Sequence, residues 1–237
     1  MACGRRGRLA AGGTAVLCWL VICGPLIPGQ LAAAEGPPES LPSLGKGVFL
    51  VASPNLNDPN FRQTVVLICD YGPEGTLGLI VNRPTQFLLS EALPKLSVLK
   101  GTSYLLFLGG PVQPNGILML FRVAEKPVDT RQVLDGVYLG GNMDTLERVI
   151  TQPKPTETFR AYAGYAGWAP GQLEFEMAVG SWATVKADPA SIFEKDAANL
   201  WAELLKGLTA PRVIHSRRTR DAGAGQPPRA PAAVGPS

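Results

Sequence analysis

The sequence predicts an α+β domain built on a mixed, strongly curved β-sheet with a few flanking helices. Three observations carry that prediction. Short β-branched or apolar runs, GVFLVAS (47–53), TVVLICD (64–70) and TLGLIVN (76–82), are separated by the turn-rich stretches PNLNDPNFRQ and YGPEG. The runs are almost continuously apolar, as in strands covered on both faces. Helical spacing is confined to a few segments, so helices interrupt a chain dominated by strands.

The remaining elements follow in order. A short helix is expected near 88–93. SYLLFLGG (103–110) and GILMLFRV (116–123), joined by PVQPN, read as a hairpin or as neighbouring strands. Met143, Leu146, Val149 and Ile150 recur at helical spacing behind Asn142, a natural N-cap. TFRAYA (158–163) alternates, with Phe159, Ala161 and Ala163 on one face and Arg160 and Tyr162 on the other. Ala169-Pro170-Gly171 has the residue order of a type II turn. QLEFEMAV (172–179) is expected as a strand, with Leu173, Phe175, Met177 and Val179 facing one way and Glu174 and Glu176 the other. Trp168 and Trp182 bracket it and are expected to pack across its ends. Asp188-Pro189 caps a helix. In 196–206, Leu200, Trp201, Leu204 and Leu205 form the apolar face of another, with Gly207 as its stop.

The ends have a different composition. Residues 1–34 carry Arg5, Arg6 and Arg8, then the apolar run Ala15–Ile27, then Ala32-Ala33-Ala34. Basic, apolar, small is the order of a secretory signal peptide. An uncleaved inner-membrane anchor is the alternative, although the apolar core is short for a span. Export to the periplasm is therefore expected, with membrane contact only transient. Residues 35–46 read as a linker, 47–208 as the domain, and 209–237 as an Arg-, Pro- and Ala-rich tail with nothing to bury.

Charge follows the same division. The chain has 22 Lys+Arg and 19 Asp+Glu, but between 35 and 211 there are 14 basic and 18 acidic residues, a net charge of −4. Such a body does not attract phosphate backbones, so direct nucleic-acid binding by it is not expected. Cys69 is the one cysteine beyond the leader, which excludes an internal disulfide there and suits a small buried hydrophobe. The single histidine, His215, lies in the tail. No His-based triad or His zinc site can be built in the body. Neither a metal nor a cofactor is expected.

What remains for chemistry is sparse. Glu174 and Glu176 would share a strand face and could act as an acid–base pair, or simply be solvated. Arg83, in Asn82-Arg83-Pro84 at a strand exit, could clamp an anion or form an internal salt bridge. Asp58 before Pro59 suits a turn cap. Gly140-Gly141 before a helix N-terminus could cradle an anion, and Gly109-Gly110 could line the same space; ordinary tight turns explain both pairs equally. Tyr162, Tyr165 and Trp168 could form a stacking wall or an aromatic core plug. Gly171 and Gln172 complete the candidate surface. The expected partner is a protein or small ligand, bound where the NRP, LGGPV and AGYAGW-PGQ blocks meet.

Four blocks also resemble the AlgH/YqgE family of bacterial proteins, which has no established biochemical activity. They are FLVASPNLNDPNFRQTVVLICD (49–70), GTLGLIVNRP (75–84), LGGPV (108–112) and YAGYAGWAPGQLEFE (162–176). The resemblance covers about residues 44–206. It implies an α+β fold whose sheet is bifurcated and curled into a pseudo-barrel, and a transcriptional-regulator label that rests on genetics in one branch. The leader and the tail depart from the family's usual pattern, which weighs against a direct role at a promoter. A non-enzymatic binding or regulatory module is the expected function. A carboxylate-dependent, hydrolase-like enzyme or an indirect transcriptional regulator is the alternative.

Overall fold

The structure is a computed structural model and describes residues 41–209. The expected leader, most of the expected tail and His215 lie outside the described residues. Strands β1 (Val48–Ala52), β2 (Val65–Gly72) and β3 (Gly75–Ile80) form a meander. β4 (Pro84–Leu88), helix α1 (Leu89–Ala92) and β5 (Leu105–Leu108) follow, with a 3₁₀ turn at Ser97–Leu99. Then come β6 (Val112–Arg122), β7 (Arg131–Leu134), β8 (Val137–Gly140), α2 (Met143–Thr151) and β9 (Thr158–Trp168). The described chain closes with α3 (Gln172–Ala178), β10 (Trp182–Lys186), α4 (Pro189–Phe193) and α5 (Ala197–Thr209).

The sheet runs β10-β1-β2-β3-β9-β6-β8-β7, all antiparallel. It is mixed because β5 pairs parallel with β9 and antiparallel with β4. It does not close into a barrel, since β10 and β7 end the path unpaired with each other. It is nevertheless strongly curled. Val133 and Leu139, near one end, share an apolar cluster with Phe49 and Leu67 near the other. Arg131 on β7 also reaches Asp70 on β2 at 2.6 Å. Residues before β1 pack too: Leu44 lies against the Trp168–Trp182 side of the sheet, and the Pro42 carbonyl accepts from the Thr184 hydroxyl at 2.6 Å.

Burial on both faces explains the continuously apolar runs. On β2, Val65, Leu67 and Cys69 enter one cluster, which α4 and α5 cover, while Val66 and Ile68 enter the opposite one. The helix caps follow the sequence. Asn142 Oδ1 accepts from Thr145 N–H at 2.7 Å at the start of α2. Asp188 Oδ1 accepts from Ser191 N–H at 2.8 Å, with Pro189 in the first turn of α4. At β4, Pro84 has no N–H to offer, the Phe87 N–H is taken by Thr85 Oγ1, and the Leu88 N–H by Glu91 Oε2.

Three sequence expectations are corrected. Residues 172–178 form helix α3, not a strand. The expected turn is present, with the Gln172 N–H donating to the Ala169 carbonyl and Gly171 at φ 77°, ψ −11°, but it opens a helix. Leu173 is buried and Met177 packs beside it, four residues apart, while Phe175 and Val179 are exposed. Gln, Leu, Glu, Met and Ala are also strong helix formers, and their propensity wins over an apparent period of two. Second, β5 and β6 are neither a hairpin nor neighbours, because the N-terminal half of β9 runs between them. Third, Gly207 does not stop the last helix, which continues to Thr209.

Candidate functional site

The sheet forks at β9. One edge of this strand pairs with β5 over Ala161–Ala163 and then with β3 over Ala166–Trp168. Gly164 sits at the change, with φ +66°. There it acts as a bulge and reverses the alternation of the strand. Phe159, Ala161 and Ala163 face the cluster beneath α2, and Tyr162 faces the cluster beneath α5. After Gly164 the odd-numbered Tyr165 takes over the α5 side, while Ala166 and Trp168 face the Trp182 side. One residue of slip thus brings Tyr165 out where Tyr162 goes in.

The LGGPV block makes the fork possible. The Gly109 N–H donates to the Ala163 carbonyl at 2.8 Å, and the Gly109 carbonyl accepts from Ile80 N–H at 2.9 Å. A Cβ on Gly109 would collide with the Gly164 carbonyl, and one on Gly110 with the Tyr165–Ala166 peptide. These glycines permit backbone-to-backbone approach. They line no anion cradle with Gly140 and Gly141.

Two clefts flank Tyr165. One, about 380 Å³, is lined by Asp70, Glu74, Leu77, Val112 and Gly167, with the 75–76 and 168 positions at its end. The other, about 350 Å³, is lined by Leu77, Gln113, Gly116, Ile117, Leu118 and Gly164. Tyr165 and Leu77 border both. The Tyr165 ring lies over Gly167, where a Cβ would sit 3.3 Å from the ring. Residues 113–116 leave the β9 ladder between the Val112–Tyr165 and Ile117–Ala163 pairs, and this excursion opens the second cleft. At the rim, Asp70 is held by Arg131, while Glu74 makes no ion pair or side-chain hydrogen bond among the described residues. Asp70, Glu74, Leu77, Val112 and Gln113 were not singled out from the sequence. Only strand pairing brings them to Tyr165, and no local motif signals that.

The other candidates have structural partners. Asn82 is buried; its Oδ1 accepts from Val65 N–H at 2.8 Å and its Nδ2 donates to the Gln63 carbonyl at 3.0 Å. Arg83 donates to the carbonyls of Asn60 at 2.7 Å and Arg62 at 2.9 Å, with Pro59 at 3.4 Å. It holds the 58–63 loop through these carbonyls, and it makes no salt bridge among the described residues. Burial, and then Arg62, lower its pKa from the ordinary value. Asp58 caps that loop, accepting from Asn60 N–H at 2.8 Å. The NRP block nonetheless meets LGGPV, because Leu108 N–H donates to the Arg83 carbonyl.

Glu174 and Glu176 do not form a pair. Glu174 is exposed and accepts from the Tyr71 hydroxyl at 2.7 Å, a bond that holds its carboxyl below the ordinary range. Glu176 accepts from the indole N–H of Trp168 at 3.0 Å and of Trp182 at 2.8 Å, and from Gln172 Nε2 at 3.0 Å. Phe61 packs against both indoles, 5.8 and 5.7 Å away. Gln172 also accepts from Ala169 N–H, so Gln172 and Gly171 build the turn and seat α3. Neither glutamate lines a Tyr165 cleft. At the N-terminus of α2, Asn142 fills the anion position with its own side chain. Asp129 and Asp144 line the adjacent cleft, and Arg148 there is paired with Glu157. This arrangement disfavours an anion at Gly140-Gly141.

A family model described as AlgH-like matches residues 49–212. The UPF0301 protein of Chlorobium luteolum is 37% identical over 165 residues, covering 69% of this chain and 85% of that protein. That of Paraburkholderia phymatum is 38% identical over 180 residues, covering 74% and 92%. Among solved structures, the AlgH protein of Pseudomonas aeruginosa matches with a TM-score of 0.60 at 28% identity, over 80% of this chain and 100% of that one. A Corynebacterium diphtheriae protein matches with a TM-score of 0.60 at 20% identity, over 73% and 91%, a likeness of fold.

Proposed function

This chain belongs to the AlgH-like family, and we propose that it is a non-enzymatic binding module that receives a protein segment or small ligand across Tyr165. One observation carries the reading: a partly buried aromatic ring that borders two clefts is seated over a glycine, at the point where the sheet forks. Tyr offers broad contact area and a polar tip, with few rotamers to freeze on binding. The open clefts suit a ligand lying across the ring, with Gln113 and Glu74 as polar contacts at either side. The carboxylate-enzyme reading requires a recessed glutamate that favours its protonated form; the exposed Glu174 is shifted the opposite way.

Ligand-observed NMR with a library of aromatic fragments and short peptides tests this. Hits should lose binding in Tyr165→Ser and keep it in Glu174→Ala. Hits that survive Tyr165→Ser unchanged, or that map to α3, overturn it.

The proposed compartment is the bacterial periplasm, supported by the composition of residues 1–34. Cell fractionation with mass measurement should return a periplasmic chain beginning at Glu35. A cytoplasmic chain retaining Met1 overturns the compartment without touching the cleft.

A further inference from the structure

The second cleft is opened by four residues that belong to neither neighbouring ladder. Strand β6 meets β9 at Val112–Tyr165 and again at Ile117–Ala163, and meets β8 only from Met119 onward. Gln113-Pro114-Asn115-Gly116 therefore bridges a gap opposite the single residue Gly164, and all four are exposed. The bridge is tight. Gln113 is left-handed at φ 49°, and Pro114 fixes its own φ. Gly116 comes back so far that a Cβ on it would stand 3.3 Å from the Gln113 carbonyl oxygen. The Pro114 Cα lies 3.2 Å from where a Cβ would stand on Gly164.

At the tip of the bridge is the one Asn-Gly step of the sequence. The chain has seven asparagines, and the other six precede Leu, Asp, Phe, Arg, Met and Leu. Asparagine is a thermolabile side chain, because the backbone nitrogen of the next residue can attack its amide carbon. The Cβ of that next residue crowds the attack, and Gly116 has none. Several of the other asparagines are also restrained. Asn82 is buried with both ends of its amide bonded, Asn142 caps α2, and Asn199 Nδ2 donates to Asp196. Asn115 is exposed, and its side chain makes no hydrogen bond among the described residues. Nothing there holds its amide away from the Gly116 nitrogen.

We propose that Asn115 is a site of spontaneous covalent conversion, through a cyclic imide, to aspartate and isoaspartate. The step balances with water alone. The Gly116 nitrogen gives its proton to solvent and bonds to Asn115 Cγ. The Cγ–Nδ2 bond breaks, and the nitrogen leaves as ammonia with a proton from water. A water molecule then opens the ring. Attack at Cγ gives aspartate; attack at the backbone carbonyl carbon gives isoaspartate, in which the main chain runs through Cβ and is one atom longer.

Either product places a carboxylate between Gln113 and Gly116, which line the cleft beside Tyr165. Isoaspartate also lengthens a bridge whose two ends are pinned by pairing to β9, so Gln113 and Gly116 must move. The wall of the cleft thus grows more acidic and more displaced as the molecule ages, whatever the cleft binds.

The test uses the full chain, aged in water enriched in heavy oxygen and then digested with trypsin. The peptide 101–122 contains Asn115 and no other asparagine. It should exchange its amide nitrogen for one heavy oxygen sooner than peptides holding any other asparagine. The rate should rise with pH, because the attacking nitrogen must lose its proton. Fragmentation should place the change at residue 115, in two isomers. Gly116→Ala restores the Cβ and should slow the conversion severalfold. Amide NMR signals of Gly164 and Tyr165 should shift with the fraction converted. An Asn115 amide that survives as long as those of Asn55 and Asn60 overturns the proposal. So does conversion at the wild-type rate in Gly116→Ala, which would mark direct hydrolysis by water. Unmoved Gly164 and Tyr165 signals at full conversion overturn the effect on the cleft.

Discussion

Gly164 and Gly110 meet backbone to backbone: a Cβ on Gly164 would stand 2.5 Å from the Gly110 carbonyl oxygen and 2.8 Å from that of Val112. The contact sets the β5–β6 connection against β9 at the fork. It also holds Gly164 in the left-handed conformation that turns Tyr165 toward the clefts.

Gly164→Ala should therefore be among the most damaging single-methyl changes in the domain. A left-handed alanine costs about 1–2 kcal/mol by itself, and the overlap with two carbonyls adds to that. Gly171→Ala, also at positive φ but with open space around it, should cost only the conformational part, about 1 kcal/mol. Urea unfolding of the two variants side by side checks the difference; equal losses would mean that the close approach contributes nothing.

Glu176→Ala should cost about 1–3 kcal/mol, because two indole N–H groups lose their acceptor. Tryptophan fluorescence should shift with it. Glu174→Ala should leave the melting temperature unchanged, since Glu174 is fully exposed. Comparable losses in both variants would restore the idea that the two act together.

Acid should weaken the domain through Glu157. Its side chain is only 3% exposed, covered by Arg148 at 2.6 Å and Lys154 at 3.4 Å rather than set deep in the core. Desolvation raises its pKa, but the Arg148 hydrogen bond, the Ala124 N–H and the two positive charges outweigh this, and the net shift is downward. A depressed folded-state pKa means stabilisation that is complete above the ordinary value of 4.5 and fades as pH falls through the lower folded value. Stability measured from pH 6 to pH 3 should fall less steeply in Glu157→Gln than in the wild type.

Asn82→Ala should cost about 2–3 kcal/mol, because it strands a buried N–H and a carbonyl at once. Hydrogen exchange should accelerate at Val65 and across 58–63. Arg83→Lys should loosen the same loop, since one ammonium cannot reproduce a planar fork reaching three carbonyls.

Local chemistry makes much of the architecture legible in the sequence. Asn142 and Asp188 announced their helices because a cap acts within three residues. The Pro170-Gly171 turn was legible for the same reason, whereas its continuation was not. Leu173, Phe175, Met177 and Val179 fit a period of two and also include an i, i+4 pair, so the alternation masks the helix-forming propensity that decides the segment. The site was less legible still. Tyr165 stood out by its glycine neighbours, but Asp70, Leu77 and Gln113 join it only through pairing of β2, β3 and β6. The glycines at 109 and 110 suggested a ligand because open loops and crowded backbones demand the same residue.

Strand β4 ends one branch of the sheet, beside exposed Phe87, Leu105 and Leu108. An apolar border of that kind ordinarily invites fibre growth by strand addition. Here the donors a newcomer would need at Phe87 and Leu88 are already committed to Thr85 and Glu91, and Pro84 never had one. Three of the five β4 residues thus offer an incoming strand no free N–H, beside greasy side chains left in the open.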